Sequence, residues 1–334
     1  MSLLDSQGWP VRGEAGQKVV AFGGGHGLSA TLKALRHLTH QLTAVVTVAD
    51  DGGSSGRLRE EMGVLPPGDL RMALASLCDD SEWGLTWRDL MQLRFKTGGP
   101  LTDHALGNLL ITGLWQMFDD PVVGLDWVGR LLQAHGQVMP MSSVPVDIEA
   151  DVIFEGETRV VRGQSEVATT GHRITDVRLL PEHPPVPSAV IEATAEAEWV
   201  VLGPGSWYTS VLPHLLVEDL HRALVTTAAH RALVLNLAPQ SGETDGFSPA
   251  DHVRVVHSYA PDFKLDIVIA DPTAVDDVDD LVEACELLGA RLLLRQVRTG
   301  SGLPVHDPLR LAAAFRDAFD GYLGEVGESE AWLS

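Results

Sequence analysis

Cysteine is scarce in this chain: two among 334 residues, Cys78 and Cys285. Two thiols cannot frame a disulfide scaffold and neither stands in a metal-type pair, so a reducing, cytoplasmic compartment is expected. Long apolar runs are missing as well. None approaches the roughly 18–20 residues needed to cross a bilayer, so no membrane insertion is expected. Met1 to Gly16 lacks the basic-then-apolar pattern of a secretory signal. Basic residues are few, 24 Lys and Arg against 46 Asp and Glu, giving a net charge of −22. Such a field repels nucleic acid and anionic lipid surfaces, so nucleic acid is not expected as a partner. A phosphorylated small molecule remains open, because backbone N–H groups and a few arginines can hold it. No Walker-type Gly-Lys-Ser/Thr, zinc-type spacing, Ser/His/Asp or Cys/His order, internal repeat or low-complexity segment is present.

What the chain does have is glycine at the ends of apolar strands. Val19-Val20-Ala21-Phe22 runs into Gly23-Gly24-Gly25-His26-Gly27, and a helical pattern of Leu32, Leu35 and Leu38 follows at once, with Ser29 reading as its N-cap. A strand, a tight turn and a helix N-terminus form a ready anion site. Leu28 stands where the third glycine of a dinucleotide fingerprint would be, which argues against a standard NAD site. Leu42 to Ala49 reads as a buried parallel strand ending in a second glycine-rich loop, Asp50 to Arg57. Pro66-Pro67-Gly68-Asp69 then opens a helix running to about Cys78.

Strand, helix and strand in close succession make a βαβ unit, so the expected fold is α/β, a doubly wound Rossmann-like parallel sheet with a small β-rich insertion. Residues 17–136 form the first nucleotide-binding half, with a helix spanning Asp103 to Phe118. Residues 137–187 form the insertion, carrying a hairpin (Val146 to Phe154, then Arg159 to Val161) and a further strand, Arg173 to Leu180. Residues 188–323 form the second half, and 1–16 and 324–334 read as loose termini.

Four polar loops fall at carboxyl ends of expected strands, the edge where open α/β sheets bind ligands. Asp50 and Asp51 have the chemistry for Mg²⁺, which needs few carboxylates plus ligand phosphates, or for accepting from a ribose hydroxyl. Asp69 is either a helix cap or a metal or ligand contact. Arg71 and Arg57 are candidate phosphate partners. His104 and Asn108 lie one helical turn apart; His104 is either a general acid or a satisfied helix-face histidine, and a buried Asn108 demands partners. Gly203-Pro204-Gly205-Ser206 is a second candidate phosphate cradle, with Tyr208 and Trp207 available to stack on a base or sugar. Asn236, Gln240, Glu243, Thr244 and Asp251-His252 crowd the end of another strand.

In order along the chain, Gly23-Gly24-Gly25-x-Gly27-Leu28-Ser29, Thr47 through Arg59, Pro67-Gly68-Asp69-Leu70-Arg71, His104-x-x-Gly107-Asn108-Leu109-Leu110, Gly203-Pro204-Gly205-Ser206-x-Tyr208-Thr209-Ser210 and Gln240-x-Gly242-Glu243-Thr244 resemble the YvcK, or gluconeogenesis factor, branch of the YvcK/CofD family. The resemblance covers about Val19 to Ile269. It implies a cytoplasmic homodimer that binds a UDP-sugar or other nucleotide and supports cell shape and envelope growth on gluconeogenic carbon sources. The sister CofD branch is enzymatic, moving a phospholactate-type group from a guanylyl donor to a deazaflavin, with Mg²⁺ on residues matching Asp50 or Asp51 and Asp69. In that reading Asp51 and Asp69 carry the Mg²⁺, and Asp51, Asp69 and His104 are the catalytic candidates. The expected ligand set is Gly23, Gly24, Gly25, His26, Gly27, Asp50, Asp51, Arg71, Asn108, Gly203, Gly205, Ser206, Tyr208, Asn236 and Gln240. The chain departs from the family pattern at His26, where Thr is usual. It also departs at Cys285 and Val305, where a Tyr and an Arg tied to UDP-sugar binding are common.

Overall fold

The structure, a computed structural model, describes residues 16–321. The two segments expected to be loose lie outside that span except for Gly16, whose carbonyl accepts from Gln41 Nε2 at 2.6 Å. The chain opens with β1 (Val19–Gly23), α1 (Gly25–Leu35) and β2 (Leu42–Val46). Helices α2 (Gly53–Met62), α3 (Pro67–Leu77), α4 (Glu82–Gln92), α5 (Leu106–Met117) and α6 (Pro121–Leu131) precede β3 (Gln137–Pro140). Next come β4 (Asp147–Phe154), β5 (Glu157–Arg162), the short α7 (Gln164–Ala168) and β6 (Arg173–Leu180). Then follow α8 (Ser188–Glu196), β7 (Trp199–Leu202), one π-helical turn (Trp207–Val211), α9 (Pro213–Leu216), α10 (Glu218–Thr226) and β8 (His230–Val234). The chain closes with α11 (Pro249–Tyr259), β9 (Ile267–Ala270), α12 (Val278–Leu287), β10 (Arg291–Leu294) and α13 (Pro308–Phe319).

Seven strands pair in parallel in the order β10-β9-β8-β7-β1-β2-β3. Their apolar runs follow from that position: a strand with helices on both faces has no side that meets water, and every residue of β1, β7 and β9 is buried. The order reverses between β1 and β7. From β1 the chain winds outward through β2 and β3, then returns to β1's other side and winds outward again, which opens a crevice at the carboxyl ends of β1 and β7. Helix α1 packs against α3 and α13 over the sheet.

The second sheet is antiparallel, β5-β4-β6. Glu155 and Gly156, both at positive φ, form the two-residue turn between β4 and β5. The strand Gln137–Pro140, read from sequence as the start of the β-rich segment, pairs with β2 and forms the edge of the large sheet instead.

Three local expectations are corrected. The stretch Asp50 to Arg57, read as loop from its glycines and serines, is helical from Gly53; a Cβ at Gly56 would collide with the Asp51 carbonyl, so the glycine serves close helical contact there. Ser29 is not the N-cap of α1. The helix starts at Gly25, whose φ is +55°, and Ser29 faces inward with its Oγ 2.7 Å from Ser76 Oγ of α3. The helix expected from Asp103 begins at Leu106, because Asp103 takes φ +62°; His104 lies outside it.

Candidate functional site

The crevice is built around the backbone of Gly24. A Cβ there would collide with Thr47 Oγ1 and lie 2.8 Å from Asp69 Oδ2 and 3.2 Å from Ser210 Oγ, so side chains from β2's end, α3 and the π-turn all reach this one residue. A Cβ on Gly27 would strike the Pro204 carbonyl and come within 2.6 Å of Gly205 Cα, so the two glycine loops pack backbone to backbone across the switch point. The first intrahelical bond of α1 is Leu28 N–H to the Gly24 carbonyl at 3.2 Å. The N–H of Gly25 is accepted by Asp69. The N–H groups of His26 and Gly27, ahead of that first bond, are what the helix offers to an anion. The His26 side chain is exposed.

Asp50 and Asp69 form the acidic side. Asp50 Oδ1 accepts from Gly52 N–H at 3.0 Å, and its Oδ2 sits against Gly68, where a Cβ would be 2.8 Å away. Asp69 lies in the first turn of α3 without capping it, with Thr47 Oγ1 3.5 Å from its Oδ2. Burial, and then the charge of Asp50, push Asp69 up to about 6, although Gly25 N–H, Arg71 and Thr47 pull the other way. Asp51 does not join them. Its Oδ1 accepts from Ser165 N–H at 3.0 Å and Ser165 Oγ at 2.6 Å, at the start of α7 in the insertion. The carboxylate pair is therefore Asp50 with Asp69, not the expected Asp51 with Asp69, and Asp51 holds the insertion. The pair suits Mg²⁺: each carboxylate's charge acts on the other, and a divalent cation would relieve the repulsion that adds to burial in raising Asp69. Among the described residues no set of three or more acidic, His or Cys side chains could hold a metal, which fits an ion that keeps waters and ligand phosphates. Bound there, such an ion would neutralise phosphate charge.

The basic side is Arg71, 4% exposed. Its Nε donates to Asn108 Oδ1 at 2.8 Å and its Nη1 to Gln92 Oε1, both neutral amides. Burial, then Arg94, lower it to about 10, with Asp69 and Asp50 opposing, so it stays charged at neutral pH. Asn108 Nδ2 donates to Ser54 Oγ at 3.0 Å, and His104 Nδ1 is 3.0 Å from the same oxygen. His104 is thus brought to Asn108 through Ser54 rather than along one helix face. Burial, then Arg57, lower its pKa. Arg57 itself turns away to the carbonyls of Pro100 and Thr102.

The second loop differs from its expected role. Asn236 grips the Gly205 peptide on both sides, accepting from its N–H at 2.9 Å and donating to its carbonyl at 2.8 Å. These bonds position the second loop. Ser206 Oγ donates to Glu243 at 2.6 and 2.7 Å, Trp207 N–H donates to Glu243 Oε2 at 2.9 Å, and Tyr208 N–H and Thr209 add to these. Residues 206–209 thus hold buried Glu243, whose pKa is raised by that burial. Tyr208 is 3% exposed and its hydroxyl is pushed up to about 12. Gln240 keeps a buried Oε1 with no hydrogen-bond partner among the described residues. Sequence reading had Glu243 only as part of a polar crowd and missed Thr47, Ser54, Ser165 and Ser210 as site or positioning residues. The signal for Thr47, Ser54 and Ser210 was their place inside the glycine-rich strings, and Ser165 had none.

A Rossmann-like crevice with two interlocked glycine loops and a facing Asp pair defines a class. The chain belongs to the CofD family, whose profile, described as 2-phospho-L-lactate transferase CofD, matches residues 19–284. Within it, the chain is 48% identical over 93% of its length to a protein of Mycobacterium tuberculosis called "Putative gluconeogenesis factor", covering 92% of that protein. It is 34% identical to the gluconeogenesis factor of Bacillus subtilis, over 90% of this chain and 97% of that one. A crystal structure of a UPF0052 family member from Bacillus halodurans superimposes with a TM-score of 0.80 at 31% identity, covering 89% of this chain and 98% of that one.

Proposed function

We propose that the protein is a gluconeogenesis factor that acts in the cytoplasm by binding a nucleotide sugar, and that this binding regulates cell shape and envelope growth. One observation carries the ligand class. Arg71 is a buried, charged guanidinium whose hydrogen bonds go to two amides, set in the same crevice as the free N–H groups of His26 and Gly27 and a carboxylate pair suited to Mg²⁺. Diphosphate meets all three demands at once: negative charge for Arg71, oxygens for the helix N-terminus and ligands for a hard cation. The unpartnered Gln240 oxygen is an acceptor for a ligand hydroxyl. The relatives' names support the gluconeogenic setting.

Calorimetric titration with UDP-glucose, UDP-GlcNAc and GDP, each with and without Mg²⁺, tests this. Saturable binding of a UDP-sugar that remains unhydrolysed is expected. Removing a charge-assisted hydrogen bond from a buried site costs about 1.5–3 kcal/mol, so Arg71→Ala should weaken binding roughly 10- to 100-fold. Binding of GDP alone, only with Mg²⁺, would replace the regulator with a CofD-like transferase.

A further inference from the structure

A cavity of about 740 Å³ lies away from the glycine crevice, between the insertion and α11. That volume is in the range of small-molecule sites, roughly 300–1,000 Å³. Its lining includes none of Gly23 to Gly27, Asp50, Asp69, Arg71 or Asn108. It borders the crevice only through Tyr208 and Glu243, on the reverse side of the turn that carries Ser210. Tyr208, Phe247 and Tyr259 give it an aromatic wall, with Tyr208 edge-on to each of the other two at 6.5 Å between ring centroids. Ile174 and Val255 add aliphatic surface.

The charged groups of the lining sort themselves by what they already hold. Asp245 accepts from Gly242 N–H at 2.7 Å, and Asp251 from Ser248 N–H at 2.9 Å as part of the α11 capping box. Glu243 is turned to the 206–209 segment. Arg254 is held by Asp280, with Nη1 at 3.2 Å. Arg173, the first residue of β6, is exposed and forms no ion pair among the described residues, and its charge acts on the Tyr208 hydroxyl. Each acid of the wall thus has backbone donors, and one cation is left over beside aromatic edges.

We infer that this cavity is a second binding site, taking a small aromatic molecule that carries one oxyanion, with the ring against Tyr208, Phe247 and Tyr259 and the oxyanion on Arg173. Edge-on rings accept a further aromatic face, and a guanidinium next to them favours an anion on that ring. The inference does not rest on the nucleotide-sugar reading, because His26, Gly27, Asp50, Asp69 and Arg71, which carry that reading, do not line the cavity.

Phenyl phosphate is the probe, followed by calorimetry and by saturation-transfer NMR on its ring protons, with inorganic phosphate and phenol as controls. Saturable binding to the full chain is expected, at least tenfold tighter than either control. Arg173→Ala should weaken it about tenfold. Val255→Trp, which fills the cavity from a half-buried position on α11, should abolish it with unchanged circular dichroism, and Arg71→Ala should leave it intact. No saturable binding to the wild type, or binding equal in wild type and Arg173→Ala, overturns the proposal. So does binding lost in Arg71→Ala but kept in Arg173→Ala, which would move the probe to the glycine crevice.

Discussion

Asp69 is held in a place that disfavours its charge, first through its burial and then through the charge of Asp50. An acid whose pKa is raised on folding binds its proton more tightly in the native state, so its charge works against stability. That penalty is absent below the unfolded value of 3.8, grows as pH rises, and is complete above about 6. Asp69→Asn removes it. At pH 7.5 the variant should be about 3 kcal/mol more stable than wild type by urea unfolding, and the gain should vanish below pH 3.8. Mg²⁺ should raise the melting temperature of the wild type and leave the variant unmoved; an equal Mg²⁺ response in both would remove Asp69 from the cation site. Stability given up at a ligand site is a common pattern. From sequence, the two aspartates after β2 were legible as a pair of opportunities, and their division of labour was not. Asp50 and Asp51 point apart because Asp51 is caught by Ser165, a residue 114 positions away, and no local rule reports such a contact. Asn236 and Glu243 were hidden in the same way: their polarity was visible, their partners in the second glycine loop were not.

Elements pack as the periodicity said, with exceptions where glycine carries a packing role. The strands of the large sheet, the βαβ start and the helix from Pro67 were readable from their apolar spacing, although neither Ser29 nor Asp69 caps its helix. The start of α2 was not, because Gly-Gly-Ser-Ser-Gly carries loop composition while Gly56 serves a close backbone approach to Asp51. Among the bonds that tie the insertion to the first half are Asp51 to Ser165 and Arg59 to Asp147. The first places a carboxylate where α7 exposes its free N–H groups. Losing such a cap costs about 1 kcal/mol. Hydrogen exchange should therefore show Asp51→Ala losing protection over residues 163–169 while β1, β2 and β7 stay protected, and UDP-sugar affinity should change less than threefold. Loss of all ligand binding in that variant would return Asp51 to the binding set.

At the scale of the molecule, a net charge of −22 sets the terms for self-association. Two copies repel wherever their acidic surfaces approach within a Debye length, about 8 Å at physiological salt. A homodimer must then meet through a face without charge, and α5 supplies one. Its twelve residues, Leu106–Met117, contain no ionisable side chain. The core covers chiefly Gly107, Asn108, Ile111 and Thr112. Leu106, Leu110, Gly113 and Met117 fall on another face at helical spacing. Met117 is 74% exposed, and a Cβ on Gly113 would meet nothing within 4 Å. Helices α4 and α6 flank it and add Leu93 and Val123, both exposed. An exposed apolar patch is ordinarily covered, and a second copy carries the same uncharged face, which a two-fold interface requires. Light scattering at micromolar concentration should give twice the chain mass of 35.9 kDa. Met117→Glu should give one chain mass at the same concentration with its circular dichroism unchanged, since the side chain touches little of its own chain. A wild-type mass of one chain, or a Met117→Glu variant that stays paired, would place α5 outside any dimer contact and leave its apolar face to be explained by another partner.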